Sequence, residues 1–164
     1  MKTVIGVMGG SVADDSVAAT AQELGRRIAE EGWVLLTGGR STGVMAAASQ
    51  GAAEAGGLVV GVLPGDTTSG SSPHIDVAIP TGMGDARNVI NVLSSHVVIA
   101  LPGGAGTISE VALALKSERK VVTVGFAACE VLFGSYKDRG LITDVATPAE
   151  AVQLIRDLLG GTPV

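Results

Sequence analysis

The stretch from Val97 to Glu110 constrains the fold of this chain more than any other. It opens with an apolar, β-branched run, 97–101, which is typical of a buried strand. The run ends in Pro-Gly-Gly-Ala-Gly, and an apolar helical pattern follows from Ile108 to about Leu115. The stretch therefore predicts a strand, a glycine-rich turn and a helix N-terminus, where backbone N–H groups can approach an anion such as a phosphate.

Strand and helix patterns alternate along the whole chain. Apolar runs predict strands at 3–8, 33–37, 58–63, 75–79, 97–101 and 120–124. Apolar residues at helical spacing predict helices at 14–31, 44–55, 85–94, 108–115 and 148–159. Such alternation is typical of parallel β-α-β units, and nearly continuous apolar strands indicate a sheet that is buried on both sides. We expect an α/β fold, a Rossmann-like doubly wound parallel sheet with helices on both faces, as a single domain over 1–164.

Two segments do not fit this alternation clearly. The segment 64–73 is a long polar loop, and loops of this length in compact domains are often functional or mobile. The segment 127–144 shows no readable period. The sequence leaves the roles of both segments open.

The composition excludes several classes of protein. Hydrophobic residues make up 46% of the chain and aromatic residues 2%, so that Val, Ile, Leu and Ala must fill the core. No apolar run approaches the roughly 20 residues of a membrane helix, and a net charge of −5 without a basic cluster disfavours nucleic acid as a partner. One cysteine, Cys129, and two histidines argue against a disulfide framework and a metal site. Because the chain also starts without a signal-peptide pattern, we expect a cytoplasmic protein.

The glycine-rich turns do not match two common phosphate motifs. The Gly-Gly-Ser turn at 9–11 lacks the Gly-x-Gly-x-x-Gly pattern, and the second strand ends at Thr37 without an acidic residue for the ribose of a dinucleotide. No Lys follows Gly43 or Gly106, so that a Walker A loop is absent as well. The sequence predicts a phosphate-binding loop of another kind.

Two glycine turns and one helix start supply the candidate binding residues. A cation in the first turn of a helix opposes the helix dipole, so that Arg87 indicates a contact with a phosphate or carboxylate rather than only a solvated position. Arg40, in the second glycine turn, is equally compatible with a phosphate contact and with a solvated surface position. We predict that the ligand or its phosphate is bound by Gly38, Gly39, Arg40, Ser41, Thr42, Gly43, Arg87, Asn88, Gly103, Gly104, Ala105, Gly106 and Thr107.

Several candidate residues also have purely structural interpretations. Thr107 and Glu110 have the spacing of a capping box, which stabilises a helix start without any ligand. Asn88 and Asn91, three residues apart, either face the ligand or cap neighbouring loops. Three further residues fit structural positions better than catalytic ones: His74, His96 and Cys129.

The combination of these motifs resembles the Lonely Guy (LOG) family. The run 38–45, Arg87 and the run 102–110 occur in the order and spacing of that family, and the resemblance covers most of the chain. LOG proteins are dimeric Rossmann-like enzymes, long mislabelled as lysine decarboxylases, that cleave the base from cytokinin riboside 5′-monophosphates and often from AMP. The resemblance implies Glu110 and Arg87 as a catalytic pair, with the glycine turns around the phosphoribosyl group.

The sequence departs from the LOG pattern at two positions. LOG enzymes typically have Arg-Lys where this chain has Arg87-Asn88, and Glu-Glu where it has Ser109-Glu110. The run 83–92 is more similar to a sister branch of small bacterial proteins, which is itself similar to molybdenum cofactor carrier proteins. Those carriers bind a phosphorylated pterin in the same crevice and are not known as glycosidases.

The sequence thus supports two functions of different classes. The first is a binding protein for a small phosphorylated ligand, either an AMP-like nucleotide or the molybdenum cofactor, with no further cofactor required. The alternative is a nucleoside 5′-monophosphate phosphoribohydrolase, in which Glu110 stabilises positive charge on the ribose and Arg87 positions the phosphate. The family resemblance implies a homo-oligomer, a dimer or larger, in either case.

Overall fold

The computed structural model describes residues 1–160, except for the side chain of Glu130. The strands are β1 (Val4–Met8), β2 (Val34–Thr37), β3 (Val59–Leu63), β4 (Val77–Pro80), β5 (Val97–Ala100), β6 (Lys120–Val124) and β7 (Ile142–Val145). The α-helices are α1 (Asp15–Glu30), α2 (Gly43–Glu54), α3 (Asn88–Leu93), α4 (Ala105–Lys116), α5 (Ala127–Lys137) and α6 (Pro148–Gly160). A 3-10 turn, Gly84–Arg87, runs directly into α3.

Seven parallel strands form one sheet in the order β4-β3-β2-β1-β5-β6-β7. The chain builds outward from β1 to β4, returns to the middle, and builds outward on the other side from β5. β1 and β5 are therefore neighbours, with Ile5 beside Val97 and Met8 beside Ala100. This reversal is a topological switch point, and open α/β sheets bind ligands there, outside the carboxyl ends of the strands. The predicted doubly wound parallel sheet is confirmed.

Helices cover both faces of the sheet and enclose two apolar cores. α1, α2 and α6 pack on one face, where Leu24, Val44 and Ile155 are fully buried. α3, α4 and α5 pack on the other face, where Val92 and Leu115 are buried. Most of these side chains are aliphatic, as the composition predicts, and full burial of each contributes about 1.5–3 kcal/mol.

The predicted strands are all present, with boundaries that agree to within two residues. Three helical or unassigned regions differ from the prediction. α4 begins at Ala105, three residues before the predicted start at Ile108. The predicted helix 85–94 is divided, because the 3-10 turn ends at Arg87 before α3 begins. The unassigned segment 127–144 contains α5 and most of β7, and β7 extends the sheet by pairing with β6.

The polar loop 64–73 lies against the turn that follows β2. The N–H of Ser41 donates to the carbonyl oxygen of Gly70, and the N–H of Ser72 donates to that of Gly39. An isolated bridge between Arg40 and Ser71 continues this pairing. Backbone hydrogen bonds therefore connect the loop to the second glycine turn.

Two expectations concern the chain as a whole. Within residues 1–160, no helix is both long and apolar enough to cross a membrane. The expected single domain over 1–164 stays a prediction, and its residues 161–164 lie outside the described part of the chain.

α1 and α2 lie very close together because each presents a glycine to the other. A Cβ built on Gly25 would lie 2.0 Å from the carbonyl oxygen of Ala48, and one built on Gly51 would lie 1.9 Å from that of Gln22. The two helix backbones are therefore in direct contact. This contact positions the N-terminus of α2, where the N–H of Val44 donates to the carbonyl oxygen of Gly10 just beyond β1.

We predict that Gly51→Ala lowers the free energy of unfolding by about 1–3 kcal/mol or more, because the added methyl group forces the two helices apart. Gly134→Ala in α5 is the matched control, since a Cβ on Gly134 meets nothing within 4 Å. We expect no loss of stability in that variant, because alanine is the better helix former. Chemical denaturation measures both values, and equal stabilities would contradict the close contact of α1 with α2.

Candidate functional site

A cavity of about 360 Å³ opens at the switch point of the sheet, and we call it the cleft. Three turns contribute to its wall: 9–11 after β1, Gly38 with Arg40 after β2, and 104–107 after β5. The 3-10 turn adds Asp85 and Arg87, α3 adds Asn88, and α4 adds Glu110. The cleft therefore joins the two predicted glycine turns to Arg87, as the sequence implied.

The N-terminus of α4 is open to the cleft. Gly104 is the N-cap residue, with φ −90° and ψ −155°, and no side chain caps the helix. A Cβ built on Gly104 or Gly106 would meet nothing within 4 Å, so that internal packing does not require a glycine at either position. The first N–H groups of α4 lack partners within the helix and favour an anion.

The capping-box interpretation of Thr107 and Glu110 is wrong. Because α4 begins at Ala105, Thr107 is the third helical residue and not the N-cap. The carboxylate of Glu110 accepts a hydrogen bond from Asn91 instead, with 2.7 Å between Asn91 Nδ2 and Glu110 Oε1. Glu110 therefore belongs to the wall of the cleft rather than to a helix cap.

Arg87 lies at the end of the 3-10 turn, directly before α3, and is 9% exposed. Its Nη1 lies 3.6 Å from Glu110 Oε1, which makes an ion pair but not a hydrogen bond. Its Nε is buried and has no hydrogen-bond partner in the described chain. Gly38 leaves the space for this guanidinium, since a Cβ there would lie 2.8 Å from both Nη atoms.

Burial disfavours the charged forms of both members of this pair. Burial raises the pKa of Glu110, although the hydrogen bond from Asn91 and the charge of Arg87 oppose the shift. Burial likewise lowers the pKa of Arg87, which the charge of Glu110 partly offsets and the nearby charge of Arg40 reinforces. The attraction between the two charges therefore does not fully offset the cost of burying them. Ionisable groups in this situation are typical of sites that bind a polar ligand.

Some predicted binding residues do not line the cleft. Ser41 and Thr42 are exposed on the surface. Gly39 and Gly43 both adopt positive φ, and a Cβ there would meet Leu63 or the carbonyl oxygen of Gly10, so that both serve the turn itself. Gly103 is the fifth predicted residue that does not line the cleft. Close packing explains the glycine there, since a Cβ would lie 2.2 Å from Thr107 Oγ1.

The remaining predicted residues line the cleft, and Asn88 makes a further contact. Its Nδ2 donates to Ser109 Oγ at 3.0 Å, and Ser109 Oγ donates to the carbonyl oxygen of Gly106 at 2.7 Å. This short chain of hydrogen bonds connects the start of α3 to the first turn of α4. It fixes the two walls of the cleft relative to each other.

Sequence reasoning missed the turn after β1. Gly10 and Ser11 line the cleft, together with Met8, Met45 and Asp85, and none of these was predicted to bind. The turn was considered only as a dinucleotide motif, which it does not match. The one feature that could have indicated a binding role is the Gly-Gly-Ser sequence directly after a buried strand. A turn at the carboxyl end of a strand lies in the ligand crevice when that strand is at the switch point of the sheet.

Three residues given structural interpretations from the sequence do not line the cleft. His96 Nδ1 accepts a hydrogen bond from the backbone N–H of Val4. Cys129 is buried in α5, and burial raises the pKa of its thiol to about 11, so that it is an unreactive core residue. His74 lies half-buried in the segment before β4. Within residues 1–160, no group of three or more His, Cys, Asp or Glu side chains could hold a metal ion.

A parallel sheet with glycine turns and an open helix N-terminus at its switch point defines a Rossmann-like protein that can bind a phosphorylated ligand. This chain belongs to the SLOG cluster4 family, whose family model matches residues 2–152. The match confirms the predicted superfamily.

Two solved structures are similar over nearly the whole chain. One is the molybdenum cofactor binding protein of the phototrophic bacterium Rippkaea orientalis, with 46% identity, 97% of this chain and 98% of that chain covered, and a TM-score of 0.93. The other is the molybdenum cofactor carrier protein of Chlamydomonas reinhardtii, with 47% identity, 98% and 99% covered, and a TM-score of 0.90. An uncharacterised protein of Archaeoglobus fulgidus is 45% identical over 120 residues, which are 73% of this chain and 78% of that relative.

We predict that Glu110→Gln gains stability relative to the wild type as the pH rises from about 5 to about 8. Because the pKa of Glu110 in the folded protein lies above its ordinary value of 4.5, the folded state binds more protons than the unfolded chain, and wild-type stability falls with rising pH. Glutamine does not ionise, and its amide oxygen can still accept from Asn91. Urea denaturation at the two pH values measures the difference.

Glu31→Gln is the matched control for this experiment. The hydrogen bond from Arg156 lowers the pKa of Glu31 in the folded protein. The stability that ionised Glu31 contributes is therefore fully present above a carboxyl's ordinary pKa of 4.5, and it is lost only as the pH falls through the lower pKa of the folded state. The effect of Glu31→Gln should therefore be the same at both pH values. A constant effect of Glu110→Gln as well would show that the carboxyl of Glu110 is not destabilised by burial.

Proposed function

We propose that this protein binds a phosphorylated pterin of the molybdenum cofactor type and serves as a binding or carrier protein for that cofactor. The two similar proteins that bind or carry the molybdenum cofactor support this proposal, because both are at least 46% identical over nearly the whole chain. The groups that line the cleft support it as well. They combine a phosphate site at the N-terminus of α4 with a polar wall at Arg87 and Glu110.

The observation that carries the proposal is the buried guanidinium of Arg87. Its Nε has no hydrogen-bond partner among the described residues, and its Nη1 is too far from Glu110 Oε1 for a hydrogen bond. An unpaired buried donor costs about 1–3 kcal/mol, and more when the group is charged. An oxygen atom of a ligand in the cleft would accept charge-assisted hydrogen bonds from the Nη groups of Arg87 and offset part of that cost.

The phosphate of the ligand is best placed at the first turn of α4. The free N–H groups of Ala105 and Gly106 and the positive end of the helix dipole favour a dianion there. The missing side chains of Gly104 and Gly106 leave space for its oxygen atoms. Arg40, exposed at the edge of the cleft, adds a second positive charge.

The described residues that line the cleft offer no thiolate or imidazole ligand for molybdenum. Among these described residues, none is Cys or His, and Cys129 lies buried in α5. The protein would therefore hold the cofactor through its organic part, by the phosphate and the heterocycle.

We predict that Arg87→Met weakens binding of the molybdenum cofactor by about tenfold or more, because a hydrogen bond to a charged group contributes about 1.5–3 kcal/mol. Methionine retains the length of the side chain but removes its donors. Anaerobic calorimetric titration of the purified protein measures the affinity. Arg139→Met is the matched control, since Arg139 is exposed and pairs with Glu118 on the surface.

Two outcomes would contradict the proposal. One is a folded wild-type protein that does not bind the cofactor at all. The other is an Arg87→Met variant that binds it as tightly as Arg139→Met. In the second case the unpaired donors of Arg87 would have no part in holding the ligand.

The phosphoribohydrolase alternative is not favoured, because the similar solved structures are cofactor-binding proteins. We predict that AMP incubated with the protein releases no adenine, as followed by chromatography. This chain has Ser109 where LOG enzymes typically have a second acid, so that Glu110 alone would have to stabilise the positive charge that develops on the ribose. Release of adenine by the wild type and its loss in Glu110→Gln would establish the hydrolase instead.

Two further expectations from the sequence stay proposals. We expect a homo-oligomer, on the resemblance to the LOG family, and light scattering of the purified protein measures its size. We also expect a cytoplasmic location.

A further inference from the structure

The deep wall of the cleft places a hydrogen-bond acceptor beside a set of donors. Asn91 Nδ2 donates to Glu110 Oε1 at 2.7 Å, and Arg87 Nη1 lies 3.6 Å from the same oxygen. Within residues 1–160, no hydrogen bond reaches the other carboxylate oxygen, Oε2. Asn91 thus holds the carboxylate in place through one oxygen, and the second oxygen is left for a ligand.

The donors of Arg87 complete this arrangement. Its Nε is buried without a partner, and the residue lies in the wall of the cleft. A ligand that satisfies the wall must therefore accept from Arg87 and, next to that acceptor, donate to Glu110. A phosphate meets only the first requirement, since its oxygens would face the carboxylate of Glu110 with like charge.

The spacing along α4 separates the phosphate from this wall. Glu110 follows Ala105 by five residues, and a rise of about 1.5 Å per residue puts it about 7.5 Å further along the helix axis. A phosphate at the first turn of α4 thus lies at one end of the cleft. The heterocycle attached to that phosphate reaches the wall of Arg87 and Glu110 at the other end.

We propose that Glu110 and Arg87 select heterocycles with a 2-amino-4-oxopyrimidine edge, which pterins and guanine share. The ring carbonyl accepts from Arg87, while the adjacent ring N–H and the exocyclic amine donate to Glu110, one to Oε2 and the other to the second lone pair of Oε1 beside the bond from Asn91. Adenine fails on this wall, because the ring nitrogen beside its amine carries a lone pair that faces the carboxylate. This inference rests on the proposed function and adds the chemical identity of the bound ring.

Three nucleotides that differ at this edge test it in calorimetric titrations. GMP has the ring carbonyl, the ring N–H and the adjacent exocyclic amine; IMP lacks that amine; AMP lacks all three and has an amine in place of the carbonyl. We expect GMP to bind about tenfold more tightly than IMP, and IMP about tenfold or more tightly than AMP, since each lost bond to a charged group weakens binding by about tenfold. Glu110→Gln, which presents one donor and one acceptor, should reduce the ratio of the GMP and AMP affinities by about tenfold or more and leave the part that comes from Arg87 and the ring carbonyl.

Glu118→Gln is the matched control. It removes one negative charge from an exposed position just beyond the C-terminus of α4, at the end of the helix opposite to the cleft. It should change the affinities of the three nucleotides equally and leave their ratio intact. Thermal melting establishes that both variants are folded, and the ratio of affinities is a quantity that a merely structural role of Glu110 would not change.

The molybdenum cofactor titrated in parallel separates this inference from the proposed function. If the cofactor binds while GMP and AMP bind equally well, or while Glu110→Gln leaves their ratio unchanged, the selection by Glu110 and Arg87 is overturned and the proposed function stands. If neither the cofactor nor any of the nucleotides binds to the folded protein, both are overturned.

Discussion

The cleft depends on the backbone of one residue, Gly10. Its N–H donates to the carbonyl oxygen of Pro102 at 3.1 Å, and its own carbonyl oxygen accepts from the N–H of Val44 at 3.0 Å. These two hydrogen bonds connect the turn after β1 to the turn after β5 and to the start of α2. A Cβ on Gly10 would lie 2.7 Å from the carbonyl oxygen of Val12, so that no other residue fits without displacement. The switch point of the sheet becomes a cleft of fixed shape because these turns are joined.

Within this rigid frame the polar wall is left incompletely satisfied. Asn91, Arg87 and Glu110 are all buried, yet Asn91 Oδ1 and Arg87 Nε have no partners in the described chain. A buried ion pair with this geometry contributes little to stability, because desolvation offsets the attraction between its charges. The fold therefore accepts a local cost in the wall of the cleft, where a ligand can supply a partner for the guanidinium of Arg87. Such violations of otherwise consistent packing are expected at functional sites.

The sequence predicted what local pattern determines. Buried parallel strands need nearly continuous apolar runs, so that β1 to β6 were visible, whereas the start of α4 was not, because Ala105 and Gly106 read as turn residues. In α5 the non-helical Phe133 interrupts the apolar period, which explains why the segment 127–144 could not be assigned. The binding role of residues 9–11 was missed because it depends on β5 lying beside β1. The order of strands in a sheet is a long-range property that no local pattern contains.

The departures from the LOG pattern acquire a physical meaning in the structure. Where LOG enzymes typically have Lys and Glu, this chain has Asn88 and Ser109, and these two side chains are hydrogen-bonded to each other at 3.0 Å. The two departures are therefore linked. Where LOG enzymes typically have one positive and one negative side chain, this chain has a neutral, hydrogen-bonded pair that connects α3 to α4. Glu110 remains as a carboxylate in the wall, and it is engaged by Asn91 rather than by a second acid. The carboxylate of Glu110 is thus buried in the wall and held by Asn91, and it has further lone pairs with which to accept hydrogen bonds from a ligand.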